Sequence, residues 1–161
     1  MAIKHPDHTF MKMAIDEAIN GVKAGDGGPF GAVIVNKAGK VIASGHNMVL
    51  VNNDPTAHAE VTVIRKAAAA LNNFELKGCI LYTSCYPCPM CMGASLWARL
   101  DAVYWGATSA DALKANFDDS AFHSFVKNPK STVEQTWEHL PVENTFAPFA
   151  LWNSIVDKTP Y

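Results

Sequence analysis

Charge of a single sign is missing from this chain of 161 residues: 13 Lys and Arg stand against 15 Asp and Glu, and no basic run is longer than Arg65-Lys66. A nucleic-acid backbone is therefore not an expected partner. Long apolar runs are also lacking. Met1 to His8 contains no stretch of signal-peptide length and Ala32 to Val35 is far too short to span a bilayer, so the expected location is cytosolic, with no membrane partner. Cysteine is scarce. The four are Cys79, Cys85, Cys88 and Cys91, and the last three fall within seven residues. In a reducing compartment that clustering points to a metal or a redox function and not to a disulfide framework. Charged residues reach only 17%, and the 10 Gly and 9 Pro are scattered, which excludes collagen, coiled coil and low-complexity tail. What is present is 49% hydrophobic residue on a length that fits one domain over 1–161. Such a chain buries roughly two-thirds of its unfolded surface without staples.

Helical spacing of Met11, Ile15, Ala18 and Val22 predicts a helix from Asp7 to about Ala24, ended by Gly25-Asp26-Gly27-Gly28-Pro29. Ala32 to Val35 and Val41 to Ser44 read as a hairpin with Gly39 in its turn. Residues 54 to 72 read as a second helix, with Asp54 as cap, Pro55 in the first turn and Val61, Ile64, Ala68 and Leu71 as the buried stripe. Cys79 to Thr83 is a buried strand, Pro89 opens a third helix through roughly Leu100, and Ala102 to Trp105 is another strand. Short helices are expected at Ala110 to Ala115 and Ala121 to Lys127, Thr132 to Leu140 is ambiguous, and Phe146 to Lys158 reads as a last helix. No repeat or linker is visible. This order implies an α/β layered domain with at least one parallel crossover.

Two helix starts carry the chemistry. His58-Ala59-Glu60 opens one and Pro87-Cys88-Pro89-Met90-Cys91 the other, each after an extended segment. Cys88 and Cys91, three apart in a first turn, can reach one metal, and the positive end of the helix favours their thiolates. With His58 as third ligand, a tetrahedral ion keeps one position for water, the arrangement of catalytic zinc, and Glu60 is placed to serve that water. Cys-x-x-Cys alone also suits a redox pair or a structural half-site. The run Cys85, Cys88, Cys91 has an iron–sulfur look, but Ser95 stands where a fourth cysteine would be. His-x-Glu followed by Pro-Cys-x-x-Cys is the zinc deaminase pattern.

The segments Asn53 to Thr62, Leu81 to Cys85 and Pro87 to Cys91 resemble the cytidine and deoxycytidylate deaminase superfamily, and within it the small bacterial guanine deaminases. The likeness extends to Gly27 to Val35, to Phe117-Asp118-Asp119 and to the terminal tyrosine. It implies a three-layer α/β/α fold with a mixed sheet of about five strands, one Zn2+ per subunit on His58, Cys88 and Cys91, and Glu60 as proton shuttle. By the same resemblance Asn47 orients the base through its donor and acceptor, Phe30 and Trp97 are pocket aromatics, and Asp119 is a second carboxylate near the substrate. Tyr161 would close the pocket, from the partner subunit of a domain-swapped homodimer. Tyr86 departs from the pattern, since the family usually has Glu there. The implied reaction is hydrolytic deamination of a small free base, guanine to xanthine and ammonia.

Plainer readings stand beside these. Trp97 could be core, Phe30 could pack under the hairpin, Asn47 could satisfy its own turn, Asp119 could cap the next helix and Tyr161 could be a frayed end. Cys85 reads as a small buried residue, and His5, His8, His46, His123 and His139 have no ligand-spaced partners. Cytosine or a nucleoside is a rival substrate, tRNA adenosine is another, and a non-catalytic zinc or redox module is the rival from outside enzymes. From residue 101 onward four Lys or Arg face eight Asp or Glu, which disfavours tRNA. A structural site gains nothing from Glu60. Residues 145–161 carry Phe146, Phe149, Trp152 and Ile155, too apolar for a free tail.

Overall fold

The computed structural model describes residues 6–128 and 133–161. Met1 to His5, and Thr132 at the start of the ambiguous segment, lie outside the described residues. The first helix, α1 (His8–Ala24), begins at Asp7, whose carboxylate accepts from Thr9 N, and ends at Gly25 in the left-handed region. Strands β1 (Gly31–Asn36) and β2 (Val41–His46) form the expected hairpin. Gly39 supplies its positive φ of 78°, and Asn36 Oδ1 accepts from the N–H groups of Ala38 and Lys40.

The next segment departs from expectation. Asp54 does not cap a helix; its Oδ1 accepts from Thr56 N at 2.8 Å and Thr56 Oγ1 at 2.7 Å, a local turn that includes Pro55. A four-residue helix, α2 (Val49–Asn52), precedes that turn, and the long helix α3 (Ala59–Leu71) starts only after His58. Strand β3 (Cys79–Cys85) is buried along its whole length. Helix α4 (Pro89–Trp97) stops short of Leu100 because Arg99 takes a left-handed φ of 58° and its guanidinium donates to the carbonyls of Leu96 and Trp97. Beyond strand β4 (Ala102–Ala107) come α5 (Ser109–Lys114), α6 (Ser120–Lys127) and a last helix, α7 (Ala147–Ser154), shorter than expected at its C-terminal end.

Among the described residues the sheet has four strands in the order β2-β1-β3-β4, one fewer than the expected five or so, since nothing after β4 pairs with it. β1 is antiparallel to both neighbours, and β3 and β4 are parallel across α4, which is the expected crossover. Alternation divides the buried side chains by face. Ala32, Ile34 and Leu81 pack with Val63, Ala67 and Leu76 beneath α3, while Val33, Val35, Ile80 and Tyr82 pack against Ala14 of α1. The result is a three-layer α/β/α fold with a mixed sheet. No helix of the described residues is long and apolar enough to cross a membrane.

His46, at the end of β2, ties the α1 layer to the loop that follows it. Its Nδ1 lies 3.0 Å from Glu17 Oε2 and its Nε2 2.8 Å from Asp26 Oδ2. Gly21 has no Cβ because the ring occupies that space, with His46 Cδ2 only 2.6 Å from where it would sit. Burial works against the charged ring, but hydrogen bonds to Glu17 and Asp26 outweigh it and raise the pKa above the ordinary 6.5. A raised folded-state pKa gives stability that is complete below the unfolded value and is lost as pH rises through the folded one. Denaturant midpoints should therefore fall from pH 6 upward into the alkaline range, and His46→Gln should flatten that slope, when unfolding is followed across the window.

Candidate active site

The metal group forms where two helices begin. His58 and Cys88 are the N-cap residues of α3 and α4, both with extended backbone (ψ 159° and 167°), and neither side chain makes a capping hydrogen bond. Where Ser or Asp would turn back to the first-turn N–H groups, these two turn toward each other. Cys91, two residues inside α4 from Pro89, completes the set. His58 Nδ1 stands 3.6 Å from Cys88 Sγ and 3.6 Å from Cys91 Sγ. Nitrogen at about 2.0–2.1 Å and sulfur at about 2.3 Å from a tetrahedral zinc are themselves about 3.6 Å apart. The donor set and its spacing thus fit zinc, and this is the group among the described residues that could hold a metal. Cys85 stays outside it, buried, with its Sγ directed to Thr108 O, so the iron–sulfur reading fails.

Protons and metal compete here. Hydrogen bonds from Cys91 and from His58 hold the Cys88 thiol down to about 4, whereas Cys88 and burial push Cys91 up. The bond to Cys88 also raises His58. Two helix N-termini meet at this point and favour negative charge. Glu60, in the first turn of α3 and only 5% exposed, takes a hydrogen bond from Thr83 Oγ1 at 2.9 Å and one from Cys91 Sγ at 3.3 Å. Burial raises its carboxyl pKa, which suits a group that must both take and return a proton near neutral pH.

A cavity of about 770 Å³ opens over this floor, walled by Phe30, Asn47, Tyr86, Phe117 and Asp119. The Phe30 and Phe117 rings meet edge to face at 5.0 Å. Asn47 is buried at the cavity wall, and its Oδ1 accepts from Val49 N at 3.1 Å and Gly28 N at 3.3 Å, which is the turn reading. That acceptor is committed to backbone, which leaves Asn47 its N–H donors for a ligand and not the donor and acceptor pair expected from sequence. A side chain at Gly27 would displace that oxygen.

Asp119 lies at the N-cap of α6 but makes no capping bond; its Oδ2 is 3.0 Å from His123 Nε2. His46 and His123 escaped sequence reasoning as positioned groups. His123 has an i,i+4 acid as its only sequence signal. Trp97 and Tyr161 do not line the cavity of their own chain. They are 63% and 75% exposed, and their rings meet each other at 6.3 Å on the outside of α4, where Arg99 also covers Trp97. The segment from Phe146 to Val156 remains exposed, with Phe149 at 61% and Val156 at 92%.

Removal of any one ligand breaks the closed geometry of the other two. Cys91→Ala and His58→Ala should purify with less than about a tenth of an equivalent of zinc by elemental analysis, against about one for the parent. Zinc uptake should also release protons, and its affinity, measured by chelator competition, should weaken as pH falls.

Residues 4–107 match the family described as the cytidine and deoxycytidylate deaminase zinc-binding region. The guanine deaminase of Bacillus subtilis is 48% identical over 153 residues, covering 95% of this chain and 97% of its own. A solved structure of guanine deaminase from Bacillus subtilis superposes with a TM-score of 0.91 at 46% identity, covering 98% of this chain and 99% of the other. The tRNA-specific adenosine deaminase of Aquifex aeolicus is 35% identical over 134 residues, 83% of this chain and 85% of its own. With that family match, a His-Cys-Cys group placed to hold a metal, a buried carboxylate beside it and the three-layer fold behind it, this chain belongs to the cytidine and deoxycytidylate deaminase family of zinc enzymes.

Proposed function

We propose that the chain deaminates guanine hydrolytically, giving xanthine and ammonia, in the cavity above His58, Cys88 and Cys91. The carrying observation is Glu60, a buried carboxylate whose Oε2 lies 3.3 Å from a metal-ligand sulfur and which a structural zinc site would not need. Bound zinc supplies a Lewis acid that brings the pKa of water from its bulk value to about 7, so a nucleophile exists at neutral pH. Glu60 takes the proton that water loses and hands it to the ring nitrogen beside the amino-bearing carbon, making that carbon electrophilic. The water oxygen adds to that carbon, and Glu60 then relays the proton of the newly attached hydroxyl to the amine, so that the C–N bond breaks, ammonia leaves and the carbonyl forms. Thr83 keeps the carboxylate aimed throughout by holding Oε1.

Full-length likeness to a guanine deaminase favours guanine over the rivals. Asn47 would donate to an acceptor on the purine edge, Asp119 would accept from a purine N–H, and Phe30 would face the ring. The acidic excess after residue 101 argues against tRNA as substrate. Four free cysteines fit a reducing, cytoplasmic setting. We read 1–161 as one deaminase domain that works as a homodimer. Exposed Phe146, Phe149 and Leu151 call for cover, and a swapped segment 145–161 would bring Tyr161 to the neighbour's pocket and give Trp97 a partner across the interface.

Ammonia release from guanine, guanosine, cytosine, adenine and tRNA is the test, with guanine turned over fastest; a faster rate on any of the others rejects the guanine reading. Glu60→Gln should keep zinc and lose about a thousandfold in kcat. Deletion of Lys158 to Tyr161 should keep zinc but lower guanine kcat/KM by at least about tenfold through loss of water exclusion, and full activity in that truncated protein would reject the closing role.

A further inference from the structure

The unusual feature of Asp119 is what it does not do. An aspartate at a helix N-cap ordinarily accepts from the first-turn N–H groups. In α6 those donors are otherwise engaged: Phe122 N and His123 N reach the Asp119 carbonyl at 3.0 and 3.1 Å, and Ser120 N reaches Asp118 Oδ1 at 3.0 Å. The Asp119 carboxylate instead meets His123 Nε2, one turn on, at 3.0 Å. His123 in turn is braced. Its ring stacks on Tyr86 with centroids 5.8 Å apart and an interplanar angle of 26°, and Tyr86 is held edge-on by Trp105 at 5.1 Å and by its own N–H to Ala107 O at 2.9 Å. Tyr86 and Asp119 both line the cavity, whereas His123 stands behind them.

We propose that His123 is a positioning residue that draws the Asp119 carboxylate out of the helix-capping role and fixes it at the cavity wall, with the ring of Tyr86 setting the plane of the imidazole. This gives the departure at position 86 a function: a flat aromatic face replaces a carboxylate and supports the histidine from the β4 side. Without His123, the carboxylate loses its partner and is free to rotate at the head of α6, where Ser120, Phe122 and His123 N–H groups already have acceptors in Asp118 Oδ1 and the Asp119 carbonyl. The helix would start as before while the cavity lost a fixed acceptor. A purely structural pair would behave in the opposite way, because its loss lowers stability and spares turnover.

The inference rests on guanine deamination with Asp119 facing the base, and the test separates the two. Zinc-loaded full-length parent, His123→Ala, His123→Gln, Tyr86→Leu, Asp119→Asn and the double variant Asp119→Asn/His123→Ala are assayed for ammonia release from guanine. His123→Ala should lose about 30-fold in kcat/KM, and Gln, whose amide nitrogen takes the place of Nε2, should recover to within about fivefold of the parent. Tyr86→Leu should lose about fivefold, and His123→Ala should cost nothing further in the Asp119→Asn background. Zinc content should stay at one per chain and the thermal midpoint should hardly move. Parent-level turnover in His123→Ala, or a double variant slowed by the product of the single losses, overturns the positioning role alone. If His123→Ala does not fold, Tyr86→Leu at parent rate does the same. A zinc-loaded parent without guanine turnover overturns both readings.

Discussion

Helices α3 and α4 begin on metal-ligand side chains and not on capping ones, and most of the molecule follows from that. An N-cap leaves several first-turn N–H groups unpaired, a cost normally met by Ser, Thr, Asp or Asn. Here His58 and Cys88 take those positions and point at a shared centre, so the electropositive ends of α3 and α4 are answered by thiolate charge instead. Both helix starts must then be held at a fixed separation. That is the work of β3, which is buried end to end, runs between the layers and delivers Thr83 to Glu60 from below.

Burial is what makes the site reactive and also what makes it costly. Glu60 sits almost wholly out of water beside sulfur ligands, which disfavours its charged form and brings its proton affinity toward the working range. Thr83 holds one of its oxygens, so the carboxylate is oriented as well as desolvated, while the bond from Cys91 exists only as long as that sulfur keeps its proton, before metal is bound. The wall above follows the same logic in milder form. Asn47 spends its acceptor on the loop 27–30 that carries Phe30, and in doing so can offer a ligand only donors, opposite an acceptor-only Asp119.

The sequence was most legible where one local pattern dominates. The period of α1, the Gly39 turn, the uninterrupted apolar run of β3 and Pro89 at the first turn of α4 could each be read without knowledge of the rest, as could the ligand spacing. Asp54-Pro55 misled because a turn and a helix start draw on the same residues; here Asp54 accepts from Thr56 in a turn, and α3 starts only at Ala59, after His58. Four-residue α2 is too short to show a period. The bonds of His46 to Glu17 and Asp26 join residues 29 and 20 apart, which no window of local periodicity contains. Trp97 and Tyr161 carry family resemblance but face outward in their own chain, away from the cavity, which no local pattern could show.

The sheet order has a consequence for assembly. His58 and the two cysteines are 30 and 33 residues apart, and the chain between them includes all of α3 and β3. An ion joining them is a cross-link around the central strand, and closing a loop of that length removes conformational freedom from the unfolded chain much as a disulfide does. The triad comes together only once β3 has found β1, with Ala32 opposite Thr83 some fifty residues away, and once α4 has turned back across the sheet. Pairing and metal site are thereby linked: a central strand misregistered by one residue would turn Thr83 to the other face, away from Glu60.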